Sequence, residues 1–314
     1  MKLSVFGLVA ILACLVRLLV GGESLGWPGS SVILELRVNR VLAGAAVGAG
    51  LAIAGVLLQS LLRNPLAAPD LLGLSAGAGF AVTLFSLLTG AAVGVASSAV
   101  PALLGAVVVL GFIWILSQRR GLIDPITMIL IGVILAVLLG SGASLLRSLM
   151  PDQGQSAARW MMGSISDSTG RATIWGVWAM VGVVGVQSWW MGRRFDASSL
   201  GQDEARSSGV PVRTVRVVQL VGAGALTAGT IVLAGPIGFV GLVCPHAARM
   251  ILGPSHRGLI VGAACAGVAL VVGADALVKA MPGPAGRIPV GVITSLIGGP
   301  VFLVILLRSR RTWS

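Results

Sequence analysis

Ten apolar runs, most of them about twenty residues long, follow one another along this 314-residue chain with little polar sequence between them. Only 10% of the residues are charged, 56% are hydrophobic, and the mean hydropathy is +1.00. A helix of about 20 apolar residues crosses the hydrocarbon core of a bilayer, whereas soluble domains carry roughly a quarter charged residues. The sequence therefore predicts an all-α polytopic membrane protein, with residues 1–314 forming a single transmembrane domain.

Charged residues and proline or glycine clusters set the limits of these runs. The predicted spans are 3–20, 41–62, 71–90, 92–116, 126–149, 173–192, 214–234, 237–252, 258–281 and 289–307. We interpret the first as a retained helix and not a signal peptide, because Arg17 interrupts it and no small-residue cleavage site follows. The run at 237–252 is short, as expected of a tilted or partly re-entrant segment.

The distribution of cations orients the spans. Ten spans place both termini on one side, where loops and helix ends hold fourteen Lys and Arg residues against seven on the other side. Because cytoplasmic loops are enriched in Lys and Arg, this distribution assigns both termini to the cytoplasm. The net charge of +12 is then mainly a topology signal, and no nucleic-acid partner is needed to explain it.

Several classes of chemistry find no support in the sequence. Cys14, Cys244 and Cys265 all lie in apolar runs, which indicates reduced core residues and not a disulfide framework. The sequence contains neither a nucleotide-binding P-loop nor a cluster at metal-ligand spacing. We therefore expect no catalytic residues, no metal site and no cofactor.

The stretch QSLLRNPLAAPDLLGLSAGAG, residues 59–79, is the first of three polar or broken segments. Pro65 disfavours helical geometry at Asn64 and ends the second span there. Pro69 and Asp70 can begin the next helix. A well-made cytoplasmic turn and a functional role both account for these residues, and the sequence pattern leaves the two open.

The longest polar cytoplasmic segment is FDASSLGQDEARSSGVPVRTVR, residues 195–216. Asp203 and Glu204 precede Arg206, an order that matches the helix dipole, and Gly209 with Pro211 ends the helix. The pattern predicts a short amphipathic helix within a loop at about 195–213. A solvated connector is the alternative, but the length of the loop favours docking of a cytoplasmic partner.

The third segment, residues 234–257, carries Gly235-Pro236 and Cys244-Pro245-His246, which break helical regularity at membrane depth. His246 has no companion at ligand spacing, so we interpret it as a hydrogen-bonded structural histidine. Asp275 is the candidate carboxylate inside a span, and it lies near the outer end of the ninth.

These features indicate a passive helical conduit whose driving energy comes from elsewhere. An ion- or proton-coupled secondary carrier that uses Asp275 or His246 is the alternative. A membrane enzyme with His246 as ligand or base is a third possibility.

The chain resembles the permease subunits of bacterial ABC importers for ferric siderophores, haem and cobalamin, from about Glu35 to Arg308. The motifs that carry the resemblance are RVNR at 37–40, the segment 48–78, LGQDEARSSGV at 200–210, AGPIGFVGLVCPHAAR at 234–249 and PVGVITSLIGGPVFLVILLR at 289–308. The resemblance implies a permease in the bacterial cytoplasmic membrane. Its partners would be a second permease subunit (homo- or heterodimer), two cytoplasmic ABC ATPase subunits, an extracytoplasmic substrate-binding protein and membrane lipid. A ferric siderophore is the expected substrate.

The resemblance also implies residue roles. The loop between spans six and seven would be the coupling helix that seats in the ATPase, with Ser208 in place of a usual leucine. Its implied coupling residues are Leu200, Gly201, Glu204, Ala205, Arg206 and Gly209.

On the outer face, Arg37, Arg40 and Lys279 would pair with acidic residues of the binding protein, and Arg287 replaces a usual acid there. The implied pathway and gate residues are Gln59, Asn64, Pro65, Pro125, Ile126 and Thr127.

Overall fold

The computed structural model describes residues 2–21, 26–90, 93, 95–119, 122–167, 169–200, 202–281 and 288–310. Its helices are α1 (Lys2–Leu19), α2 (Ser31–Leu62), α3 (Leu74–Thr89), α4 (Val95–Leu116), α5 (Pro125–Ser148), α6 (Pro151–Met161), α7 (Arg171–Trp190), α8 (Gly192–Leu200), α9 (Gln202–Ser207), α10 (Val212–Ala234), α11 (Val240–Leu252), α12 (His256–Ala280) and α13 (Val290–Arg310). A 3₁₀ turn, Pro69–Leu72, precedes α3. The strands Gln118–Arg119 and Leu122–Ile123 form an antiparallel hairpin before α5.

The predicted spans are all present as apolar helices. Within the described residues, seven helices are long and apolar enough to cross a membrane, and the shorter apolar helical segments are α3, α11 and the part Val290–Val304 of α13. The all-α polytopic fold is therefore confirmed. The short eighth span, predicted at 237–252, is the 13-residue helix α11. It begins after Phe239, which adopts the left-handed conformation with φ 69°.

The helix α2 forms the centre of the molecule. It has 32 residues, and its part from Arg40 to Leu62 is buried almost throughout. Gly48 lies directly against the backbone of Gly267 in α12, and Gly55 against that of Gly241 in α11. Small residues let helix backbones approach closely in a membrane, where the hydrophobic effect does not drive helices together. The glycine-rich stretch from 44 to 55 therefore sets the packing of α2 against its neighbours.

Outer helices leave apolar side chains uncovered. In α5, Ile126, Leu130, Val137 and Leu138 are exposed, and α1 exposes a similar set on the side facing away from α12. Such faces suit lipid or a second membrane subunit. The core clusters instead around α2, α10, α11 and α12.

Candidate functional site

Buried charges meet where the outer ends of α1, α2 and α12 converge. Arg17, Arg40 and Asp275 are 2%, 4% and 1% exposed. The Nε of Arg17 donates to Asp275 Oδ2 at 2.5 Å. Arg40 donates from Nη2 to Oδ1 at 2.7 Å and from Nε to Oδ2 at 2.9 Å. One carboxylate thus holds two guanidinium groups from two other helices.

The contacts extend outward to the loop before α7. Asp167 accepts a hydrogen bond from Arg40 Nη1 at 2.7 Å and from Lys279 Nζ at 3.3 Å. Its side chain is 32% exposed, so this is where the cluster reaches the surface. We call Arg17, Arg40, Asp167, Asp275 and Lys279 the outer ion-pair network. It contains three cations and two anions, so the network itself carries one net positive charge.

The residues expected to dock a binding protein point inward in this structure. Arg37 donates from Nη1 to the carbonyls of Leu18 at 2.6 Å and Gly26 at 2.9 Å, which ties α2 to the end of α1. Arg40 is buried, and the side chain of Lys279 is 12% exposed. Arg287 lies outside the described residues.

Arg171 is an exposed cation at this surface, with a side chain that is 59% exposed. It forms a 3.3 Å ion pair with Glu35, whose side chain is 55% exposed. It also donates from Nε to Asn39 at 3.1 Å. The sequence analysis assigned no functional role to Arg171, Arg17 or Asp167. The signal for Arg17 was available, because a cation inside a span needs a buried partner and Asp275 lies at matching depth.

At the opposite face, α8 is joined to two spans. Arg63 donates from Nη2 to the carbonyl of Ser198 at 2.7 Å. The backbone N–H and the Nδ1 of His256 both reach Asp196 Oδ1, at 2.9 and 2.6 Å. The predicted loop at 195–213 therefore begins inside a helix that packs under α2 and α12.

The predicted coupling residues lie at and after this helix. Leu200 ends α8, Gly201 lies outside the described residues, and Arg206 lies in α9. Glu204 is exposed, whereas Ala205 is fully buried. Gly209 has φ 73°, a left-handed conformation that suits glycine at the end of a helix. The predicted short helix is thus present as α9, and it presents Glu204 outward.

The predicted pathway residues of the first polar segment occupy a tight turn. Gln59 is 3% exposed, and its Nε2 donates to the carbonyl of Leu242 at 3.4 Å, so it lies between α2 and α11. Asn64 Oδ1 accepts from the backbone N–H of Leu66 at 2.9 Å, and Pro65 is exposed. Asn64 and Pro65 shape the turn.

The other predicted gate residues form the start of α5. Asp124 caps this helix by accepting from the backbone N–H of Thr127 at 3.0 Å, and the hydroxyl of Thr127 also donates to it. Pro125 is the first residue of the helix, a position where its missing N–H costs nothing. Ile126 is 70% exposed. This helix start is therefore rigid, with one apolar side chain projecting from it.

Comparisons with known proteins agree with one another. The model of the FecCD transport family matches residues 8–308. The hemin transport system permease protein HmuU of Yersinia pestis is 34% identical over 281 residues, which covers 88% of this chain and 83% of that protein. The ferric enterobactin transport system permease protein FepD of Escherichia coli is 32% identical over 319 residues, covering 97% and 94%.

A third relative and a solved structure extend this set. The cobalamin import system permease protein BtuC of Halobacterium salinarum is 36% identical over 283 residues, covering 89% of this chain and 74% of that protein. A solved chain, described as an inward-facing metal-chelate-type ABC transporter, superposes with a TM-score of 0.84 at 27% identity and covers 98% of both chains.

Proposed function

The chain belongs to the FecCD transport family, and on that premise we propose that it is the membrane permease subunit of an ABC importer for a ferric siderophore. Import of a metal chelate is the feature that this substrate has in common with those named for the relatives, which include hemin, cobalamin and ferric enterobactin. In this proposal the chain works in a bacterial cytoplasmic membrane beside a second permease subunit. Two partner ATPase subunits hydrolyse ATP, and an extracytoplasmic binding protein delivers the chelate.

The observation that carries the proposal is the position of α12. Its first residue, His256, contacts the helix that leads into α9. Its last turns carry Asp275 and Lys279 in the outer ion-pair network. The helix α12 has 25 residues and is about 37 Å long at 1.5 Å per residue. It therefore connects the surface where the ATPase would dock with the surface where the binding protein would dock.

Transport then follows from rigid-body movement of packed helices. A loaded binding protein docks on the basic outer end, and Arg37, Arg40 and Lys279 are its proposed contacts once they leave the inward contacts that they make in the free chain. ATP binding and hydrolysis in the partner subunits move α9, and the pathway opens alternately to each side. In this proposal Leu200, Gly201, Glu204, Ala205, Arg206 and Gly209 are the coupling residues. The proposed residues at the inner end of the pathway are Gln59, Asn64, Pro65, Pro125, Ile126 and Thr127.

The contacts of Asp275 argue against an ion-coupled carrier. Both oxygens of its carboxylate accept hydrogen bonds from the buried guanidinium groups of Arg17 and Arg40. Neither oxygen is therefore open to a transported ion.

The test is assembly with an ABC ATPase and stimulation of its activity. The chain is reconstituted with a candidate ABC ATPase and a candidate binding protein, and ATP hydrolysis is measured with and without chelate-loaded binding protein. We expect Glu204→Arg to abolish stimulation, because Glu204 is exposed on α9. The control, Ser199→Arg, places the same cation on exposed residue 199 of α8 and retains stimulation. A wild-type chain that never assembles with an ATPase would contradict the proposal.

A further inference from the structure

The helix α8 cannot hold its conformation by itself. It has nine residues, and isolated helices shorter than about 12 residues are marginal in water. Arg193 and Arg194 lie in its first turn, where a cation is repelled by the positive end of the helix dipole and destabilises the helix. Phe195 is nevertheless completely buried. Contacts with other helices must therefore fix the position of α8.

The first such contact is made with the start of α12. Ser255 stands at the N-cap of α12 but makes no side-chain cap hydrogen bond. Asp196 of α8 supplies that cap, because its Oδ1 accepts from the backbone N–H of His256 at 2.9 Å. The same oxygen accepts from His256 Nδ1 at 2.6 Å, and the ring of Phe195 packs edge-on against the imidazole at 5.8 Å. His256 is 2% exposed and the side chain of Asp196 is 38% exposed, so the joint is buried on the α12 side and reaches the surface at Asp196.

The second contact is made with the end of α2. Arg63 is the C-cap of α2 and adopts the left-handed conformation, with φ 50° and ψ 34°. This conformation is strained for a residue other than glycine, because its Cβ lies too close to the following carbonyl oxygen. Its guanidinium donates to the carbonyl of Ser198 at 2.7 Å, in the last turn of α8, where carbonyls lack helical partners. A cation at a helix C-terminus also interacts favourably with the negative end of the helix dipole.

We infer that Arg63, Asp196 and His256 form an inner clamp that positions the coupling helix α9 through α8. Only residue 201 separates the end of α8 from the start of α9, so the orientation of α8 sets that of α9. The clamp joins α8 to α2 and α12, the two helices that also carry Arg40 and Asp275 at the outer end. A shift between α2 and α12 therefore reaches α9 through three named side chains, which act as positioning residues.

The coupling role of α9 rests on the proposed function, but the clamp itself is tested on the purified chain alone. Hydrogen–deuterium exchange of the α8 and α9 amides measures how often this segment opens. We expect Asp196→Ala and Arg63→Asn to raise the exchange rate roughly tenfold, since each removes a charge-assisted hydrogen bond. Asparagine tolerates the left-handed conformation, so Arg63→Asn removes the guanidinium without straining the turn. Asp196→Asn keeps an acceptor for the backbone N–H of His256 and gives an intermediate rate.

The control is Arg194→Gln, which changes an exposed cation on the same helix and leaves exchange within about twofold of wild type. Unchanged exchange in both Arg63→Asn and Asp196→Ala overturns the clamp. If Asp196→Ala fails to fold, Arg63→Asn and Arg63→Lys still decide the question, because lysine keeps the charge and one donor and restores slow exchange.

The second readout is the number of chelate molecules imported per ATP hydrolysed in the assembled transporter. Clamp variants are expected to lower this ratio severalfold while the complex still assembles and hydrolyses ATP, and Arg63→Lys recovers most of it. Fast exchange with an unchanged ratio overturns the positioning role. Fast exchange in the variants, with a wild-type chain that never binds an ATPase, supports the clamp and refutes the proposed function.

Discussion

Replacing Asp275 by asparagine tests the outer ion-pair network most severely. Asp275 accepts hydrogen bonds from Arg17 at 2.5 Å and from Arg40 at 2.7 and 2.9 Å. Both arginine side chains are at most 3% exposed, so neither can turn to water when the carboxylate is lost. Removing one partner of a buried ion pair typically costs about 3–5 kcal/mol. Two cations depend on Asp275, so we expect Asp275→Asn to lower the free energy of unfolding by about that amount.

A double-mutant cycle identifies the cause. Arg17→Met removes one hydrogen bond to Asp275 but leaves the paired contact between Arg40 and Asp275, so its cost alone is about 1–3 kcal/mol. When Asp275→Asn is already present, Arg17→Met removes an unneutralised cation. The double variant is then expected to be more stable than Asp275→Asn alone, which additive costs do not allow.

The assay is equilibrium unfolding in mixed detergent micelles, followed by the fluorescence of the eight tryptophans. An Asp275→Asn variant within about 1 kcal/mol of wild type would refute the reasoning, because it would mean that the two guanidinium groups find other compensation. Purely additive costs in the cycle would show that Arg17 and Asp275 do not interact.

Two further predictions concern other contacts. Gly48→Ala is expected to destabilise the protein by about 1–3 kcal/mol or to prevent folding, because its Cβ would collide with the carbonyl of Gly267. The control is Gly273→Ala, whose Cβ meets nothing within 4 Å and which is expected to be neutral or stabilising in the same unfolding assay. Asp167→Asn is expected to raise the affinity for the binding protein severalfold, most clearly at low salt, because it removes the 3.3 Å ion pair with Lys279. Surface plasmon resonance measures this affinity, and weaker binding would show that Asp167 supports the docking surface instead.

The membrane fold was predictable because hydropathy reports directly on spans. Each predicted span coincides with an apolar helix, since about 20 apolar residues in lipid must satisfy their backbone groups as a helix. The short polar helices were not predictable in the same way. Sequence reasoning missed α6 and α8, and the latter depends on Asp196 and Arg63 contacts with residues 60 and 135 positions away.

The candidate site was predictable in composition but not in pairing. The motif RVNR at 37–40 indicated outer cations, yet Arg40 turned out to be the buried centre of a network with partners 127 and 235 positions away. Charge patterns along the sequence reveal which residues need partners, but long-range pairing arises only when α2, α7 and α12 pack. The turn at 63–65 shows the same limit, because the role of Arg63 is visible only once Ser198 lies beside it.

Uptake into proteoliposomes that contain the chain, its ATPase and its binding protein is the most direct test of the central claim. A radioactive ferric siderophore, hemin and cobalamin are supplied separately, each with ATP inside the vesicles or with a proton gradient alone. We expect ATP-dependent accumulation of the ferric siderophore, with no uptake driven by the gradient. Uptake that needs no ATPase and follows the proton gradient would contradict it.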